Sequence, residues 1–228
     1  VTTGTAAGWS ALTRGGSGTL YGVALLSAKD GWAVGDTGAK PLIMRLTASG
    51  WKATRTPAIK GGFLRDVYIA GSKKAIAIGG VHHRTGTISP LVLVWNGRHW
   101  SRTRVPGSRA ELYGVTGERH GSERGARFWI SGYDPGHPED PYLLRYEGGK
   151  WRVDRGERTG GDRTVRLQAV SHVSGLTMAV GHVVDGQDRY TDVIETLDSV
   201  ASKAAGNAPG KTTGKAADED MAVRKATR

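Results

Sequence analysis

The sequence predicts an all-β protein: a β-propeller of four blades, each of four antiparallel strands, with a disordered C-terminal tail. Glycine supplies 35 of the 228 residues and apolar runs are short, which favours brief strands joined by tight turns over long helices. Leu-x-x-Val recurs at Leu20, Leu64, Leu112 and Leu167, at spacings of 44, 48 and 55 residues. A period of about 45–50 residues holding four strand-like segments is that of a propeller blade, not of a helical solenoid or a leucine-rich repeat.

Within each unit, Leu-x-x-Val opens a first strand. A second apolar run closes on glycine, as Trp32-Ala33-Val34-Gly35, Ile76-Ala77-Ile78-Gly79, Trp129-Ile130-Ser131-Gly132 and Met178-Ala179-Val180-Gly181. A third begins near Pro41, Pro90, Pro141 and, more weakly, Asp192. Glycine-bearing turns then lead to strands opened by Trp51, Trp100 and Trp151, which is hairpin chemistry. These tryptophans, with Trp32 and Trp129, are expected to pack between blades.

The fourth unit lacks a Trp strand, whereas Gly8-Trp9-Ser10 resembles Gly50-Trp51-Lys52. Residues 8–13 are therefore expected to complete the last blade and close a ring within a domain of residues 1–198, suppressing an open sheet edge. The alternative is an arc of a larger ring whose other blades come from elsewhere, a second copy included. Residues 199–228 are polar, rich in Ala, Gly and Lys, and free of aromatic residues, the composition of a disordered basic tail.

Net charge is +11, and cysteine is absent, which excludes disulfide staples, iron–sulfur ligation and a thiol nucleophile. No helix-turn-helix, zinc or RNP signature accompanies the charge, so nucleic acid is not the expected partner. Arginine clusters (Arg98, Arg102, Arg104, Arg109; Arg152, Arg155, Arg158, Arg163, Arg166) suit carboxylate or phosphate, pointing to an anionic glycan, a wall polymer or a protein partner. No apolar run approaches the roughly 20 residues that span a bilayer. An extracellular or cell-surface location is expected if a signal peptide was removed upstream, and a cytoplasmic one otherwise.

In a propeller, the loops between second and third strands share a face with the connections between blades. Here those loops are residues 36–40, 81–89, 133–140 and 182–190, and they carry Asp36, His82, His83, Tyr133, Asp134, His137, His182 and Asp185. These eight are the candidate ligand- or partner-binding residues. No ligand spacing for a metal and no cofactor motif is present, so none of either is expected. Gly121-Ser122-Glu123-Arg124-Gly125 matches G-x-S-x-G in letters but follows no apolar strand, so no nucleophile elbow is expected.

The string from Leu20 to Gly35, LYGVALLSAKDGWAVG, resembles the L-x-G-V-x-x-x-S-x-x-D-x-W-A-V-G repeat of bacterial BNR-like propellers. That repeat is common in secreted actinobacterial proteins and related to the repeat of photosystem II assembly-factor propellers. Trp95-Asn96-Gly97-Arg98-His99-Trp100 fits its W-N-G-x-x-W half. The resemblance covers residues 8–197 and implies the fold rather than a chemistry. Sialidases in the wider group carry S-x-D-x-G-x-T-W, a spacing that Ser27 to Trp32 lacks.

Two functions stay open. One is a non-catalytic binding or scaffold propeller holding an anionic glycan or a protein partner. The other is a hydrolase or lyase, with His82, His83, His137 and His182 as acid/base or metal candidates and Asp134 or Asp185 as carboxylate. The second requires these side chains to share a cavity.

Overall fold

The computed structural model describes residues 17–118, 125–156, 158 and 160–198. The strand expected at Trp9, most of the G-x-S-x-G segment and the tail expected at 199–228 lie outside the described residues. The described chain is all β, in four antiparallel sheets of four, four, four and three strands, with no α-helix. The first blade is β1 (Thr19–Ser27), β2 (Asp30–Asp36), β3 (Pro41–Thr47) and β4 (Gly50–Ala53). The second is β5 (Gly62–Gly71), β6 (Lys74–His82), β7 (Ile88–Trp95) and β8 (Trp100–Thr103). The third is β9 (Glu111–Glu118), β10 (Arg127–Tyr133), β11 (Tyr142–Glu147) and β12 (Lys150–Arg155). The fourth is β13 (Arg163–Val173), β14 (Leu176–Asp185) and β15 (Tyr190–Asp198). Each sheet is a meander in chain order, as a propeller blade requires.

Blades stack because each internal sheet is apolar on both faces. Leu64 and Val67 of the second repeat are buried against Trp32, Val34 and Ile43 of the first blade. Leu112 and Val115 pack on Ile76, Ile78 and Val92, and Leu167 packs on Leu143. Burying each such side chain stabilises the stack by about 1.5–3 kcal/mol.

Tryptophan fills the first seam: Trp32 lies 4.9 Å from Trp95 and 5.1 Å from Trp100 between ring centres. Trp151 packs on Tyr146 at 4.9 Å beside the second seam. At the third seam Trp129 stacks on His172 at 3.8 Å, and the His172 ring bonds Glu118 (2.6 Å) and Thr177 (2.8 Å). Trp100, Trp151, Trp32 and Trp129 therefore pack as expected; Trp51 stands on the outer face of the first blade.

The repeat's Leu-x-Gly-Val glycine has a packing cause. A Cβ on Gly22 would come within 2.7 Å of the Arg65 carbonyl oxygen, and one on Gly114 within 3.0 Å of Ala169 Cα, so neighbouring backbones nearly touch there. The second repeat has Asp66 at this position. Its carboxylate accepts the N–H of Val115 in the next blade at 2.9 Å and that of Val67 at 2.8 Å. Burial pushes its pKa up against those two bonds.

The first and fourth blades do not pack on one another, so the described residues form an open arc. The closure expected through Trp9 lies outside the described residues.

Candidate functional site

The site begins with an irregularity repeated four times. In every blade the pairing of first and second strands slips at the residue after the repeat leucine. Tyr21, Arg65, Tyr113 and Gln168 are left without an opposite residue. Such bulges re-aim a side chain. They also explain the closing glycines: a Cβ on Gly35, Gly79, Gly132 or Gly181 would overlap the carbonyl oxygen of Thr19, Phe63, Glu111 or Arg166, respectively. Glycine at the end of the second strand and a bulge in the first are one feature seen from two strands.

Three of the bulged positions carry aromatic or cationic groups, and the contacts chain across blades. The Arg65 guanidinium lies 5.4 Å from the Phe63 ring centre and 4.7 Å from that of Tyr113. The Tyr113 hydroxyl accepts from Arg166 at 2.7 Å and donates to Glu111 at 2.8 Å. Burial, then the Glu111 carboxylate, push the Tyr113 phenol above its ordinary pKa. Arg166 covers the Tyr133 ring at 4.0 Å, and Phe63 packs on His82 at 4.7 Å. Arg166 has a carboxylate nearby, Glu111 at 3.8 Å. Arg65 has no carboxylate within salt-bridge distance among the described residues. Its surroundings are rings, which favour a cation while leaving its N–H donors available.

A cavity of about 730 Å³ opens between the first two blades, lined by Tyr21, Asp36, Phe63, Arg65 and His82 among others. Asp36 and His82 are the expected loop-face residues that line it. Asp36 is partly committed, its Oδ1 accepting the Gly38 N–H at 2.6 Å. Tyr133 joins the chain of rings through Arg166.

The remaining candidates lie elsewhere. His83 bonds Ser89 at 2.8 Å across its own loop. His182 packs on Tyr190 at 5.3 Å in the fourth blade. Asp185 accepts from the N–H groups of Gln187 (2.9 Å) and Arg189 (3.1 Å) and from the Arg189 side chain (2.8 Å), which hold its pKa down at about 2. Asp134 and His137 do meet, at 3.3 Å, but within a turn clamped by Arg155, whose guanidinium reaches Asp134 at 2.6 Å. A cavity mouth shared by His82, His137 and His182 is not formed: His137 and His182 do not line the cavity. Among the described residues no three His, Asp or Glu side chains converge as metal ligands.

Sequence reasoning missed Tyr21, Phe63, Arg65 and Tyr113, and singled out Arg166 only as one of a cluster of arginines. For Tyr21, Arg65 and Tyr113 the signal available was a large residue after the repeat leucine, beside a glycine-closed second strand. Further grooves of about 510 and 500 Å³ beside the outer strand of the second blade are lined by Arg102 and Arg104 and by Arg55 and Arg98.

The Asp134 turn carries a testable stability. Burial alone would raise the Asp134 pKa, but the hydrogen bonds from Arg155 and the Gly136 N–H prevail and hold it below the usual carboxylate value. A lowered folded pKa means stability present above the unfolded value and lost as pH falls through the folded one. Asp134→Asn is expected to lose about 1.5–3 kcal/mol at pH 7, the worth of bonds to a charged group. In urea unfolding the gap to wild type should narrow below about pH 4; a gap independent of pH would refute the charge's role.

Fold and cavity together define a β-propeller with a pocket beside its inner strands. Among solved structures it is similar to "YCF48 bound to D1 peptide", with a TM-score of 0.44 and 14% identity over 78% of this chain and 52% of that one. The chain thus spans about half that protein's length. No protein-family model and no curated protein sequence matches it.

Proposed function

We propose that this propeller is a non-catalytic binding protein for an acidic partner, and that the cavity between its first two blades takes the partner's carboxylate or phosphate group. The observation that carries this reading is Arg65: a guanidinium held between two aromatic rings, without a carboxylate partner among the described residues, at the wall of a cavity of about 730 Å³. Guanidinium geometry suits a two-pronged bond to carboxylate or phosphate. Tyr21, 60% exposed, and Phe63 offer rings beside it for an apolar or sugar face. The net charge of +11 adds long-range attraction for a polyanion. An acidic glycan and an acidic peptide of a partner protein both present this chemistry.

Calorimetric titration with a polyuronate oligomer and with an oligoglutamate peptide separates the two sources. Arg65→Ala should weaken binding of the true ligand at least tenfold, the equivalent of about 1.4 kcal/mol, and Arg65→Lys should restore part of it. Affinity should also fall as salt rises, because exposed charges are screened over about 8 Å at physiological ionic strength. Binding that ignores both Arg65 and salt would overturn the reading.

A further inference from the structure

The repeat makes the two ends of the arc interpretable. Each internal seam joins a forward face of one blade to a rear face of the next, and equivalent repeat positions recur in each. Rear-face positions are Leu64 and Val67 in the second blade and Leu112 and Val115 in the third, all buried. Their equivalents in the first blade, Leu20 and Val23, are 47% and 63% exposed. With Tyr21, Ala33, Met44 and Trp51 they line an open groove of about 310 Å³. On the forward face the register places Val34 opposite Ile43, Ile78 opposite Val92 and Ser131 opposite Leu143, all buried. In the fourth blade the matching pair is Val180 opposite Ile194, 44% and 61% exposed, with Met178 exposed beside them. So the arc ends in one unmatched rear face and one unmatched forward face, the two halves of the seam it builds three times internally.

We infer that two copies of this chain close into one ring, the forward face of each fourth blade packing on the rear face of the other's first blade. The contact is head to tail, and its two-fold repetition closes the assembly without leaving either apolar face in water. The ring would hold eight blades, inside the range of about four to eight that closed propellers use. The same end of the arc also leaves a strand edge open. β15 pairs with β14 and has no fourth-strand neighbour among the described residues, unlike β3, β7 and β11. The new seam would also wall the Tyr21 side of the cavity, so ring closure and ligand binding are separable but adjacent.

Sedimentation velocity on the purified chain tests this. The wild type should sediment at twice the chain mass. Val23→Asp and Ile194→Asp each place a charge on an exposed end face, so each should fold with an unchanged circular dichroism spectrum yet run as a monomer. An equimolar mixture of the two should recover pairs, because one of the two seams then joins two unaltered faces. A wild type that stays monomeric at its highest soluble concentration overturns the inference. Dimers of Ile194→Asp alone would overturn the head-to-tail geometry in favour of rear-to-rear pairing. The Arg65→Ala variant should remain dimeric, which keeps this test distinct from that of ligand binding.

Discussion

Gly79→Ala is expected to cost about 3 kcal/mol, at the upper end of what overpacking a core imposes, whereas Gly71→Ala should change stability by less than about 0.5 kcal/mol. Both glycines lie in the same blade and receive the same methyl group. At Gly79 the new carbon overlaps the Phe63 carbonyl oxygen and sits 2.7 Å from Leu64 Cα, backbone atoms that cannot turn aside as a side chain would. At Gly71 it meets nothing within 4 Å. The carbonyl is there because the bulge at Arg65 pushes it there, so relief would require flattening the bulge. Denaturant unfolding of the two variants provides the comparison, and equal losses would show that the bulge is not the cause. If the fold survives by flattening, Arg65 loses its aim and the ligand-binding assay should register that as well.

Trp32→Ala is expected to lose about 3–5 kcal/mol, the range for truncating a large aromatic in a core. Trp32 belongs to the first blade but fills the second, touching Trp95 and Trp100, with the Arg45 guanidinium 5.1 Å from its ring centre. The loss should be readable in thermal unfolding and as a change in near-ultraviolet circular dichroism, since three coupled indoles become two. A loss under 1 kcal/mol would mean that the first blade docks without its tryptophan. Such a result would also weaken the case that blade seams set the stability of the arc.

Much of this architecture was legible in the residues alone. Leu-x-x-Val, the glycine-closed second run and the Trp-opened fourth run are each tied to one strand, and strands pair with their chain neighbours, so four sheets follow from local order. The interblade role of Trp100 and Trp151 was equally readable, because a large ring recurring at one blade position has one environment to fill. The loop face was readable as a place but not as a site. Loop side chains have several turn-bonding partners within a few residues, and Asp134, Asp185 and His83 took those partners instead of a common cavity.

By itself, then, the sequence determined the number, order and meander topology of the blades, since these rest on periodicity and neighbouring hairpins. Tertiary structure alone decided two things. One is that the residue after each repeat leucine is bulged. Strict alternation of side chains gives no sign of a one-residue slip, which is set by how the first strand fits against both its sheet and the blade before it. The other is that the described blades stop as an open arc. Leu20 and Val23 carry the same letters as Leu112 and Val115, and only the presence or absence of a blade behind them makes one pair a surface and the other a core.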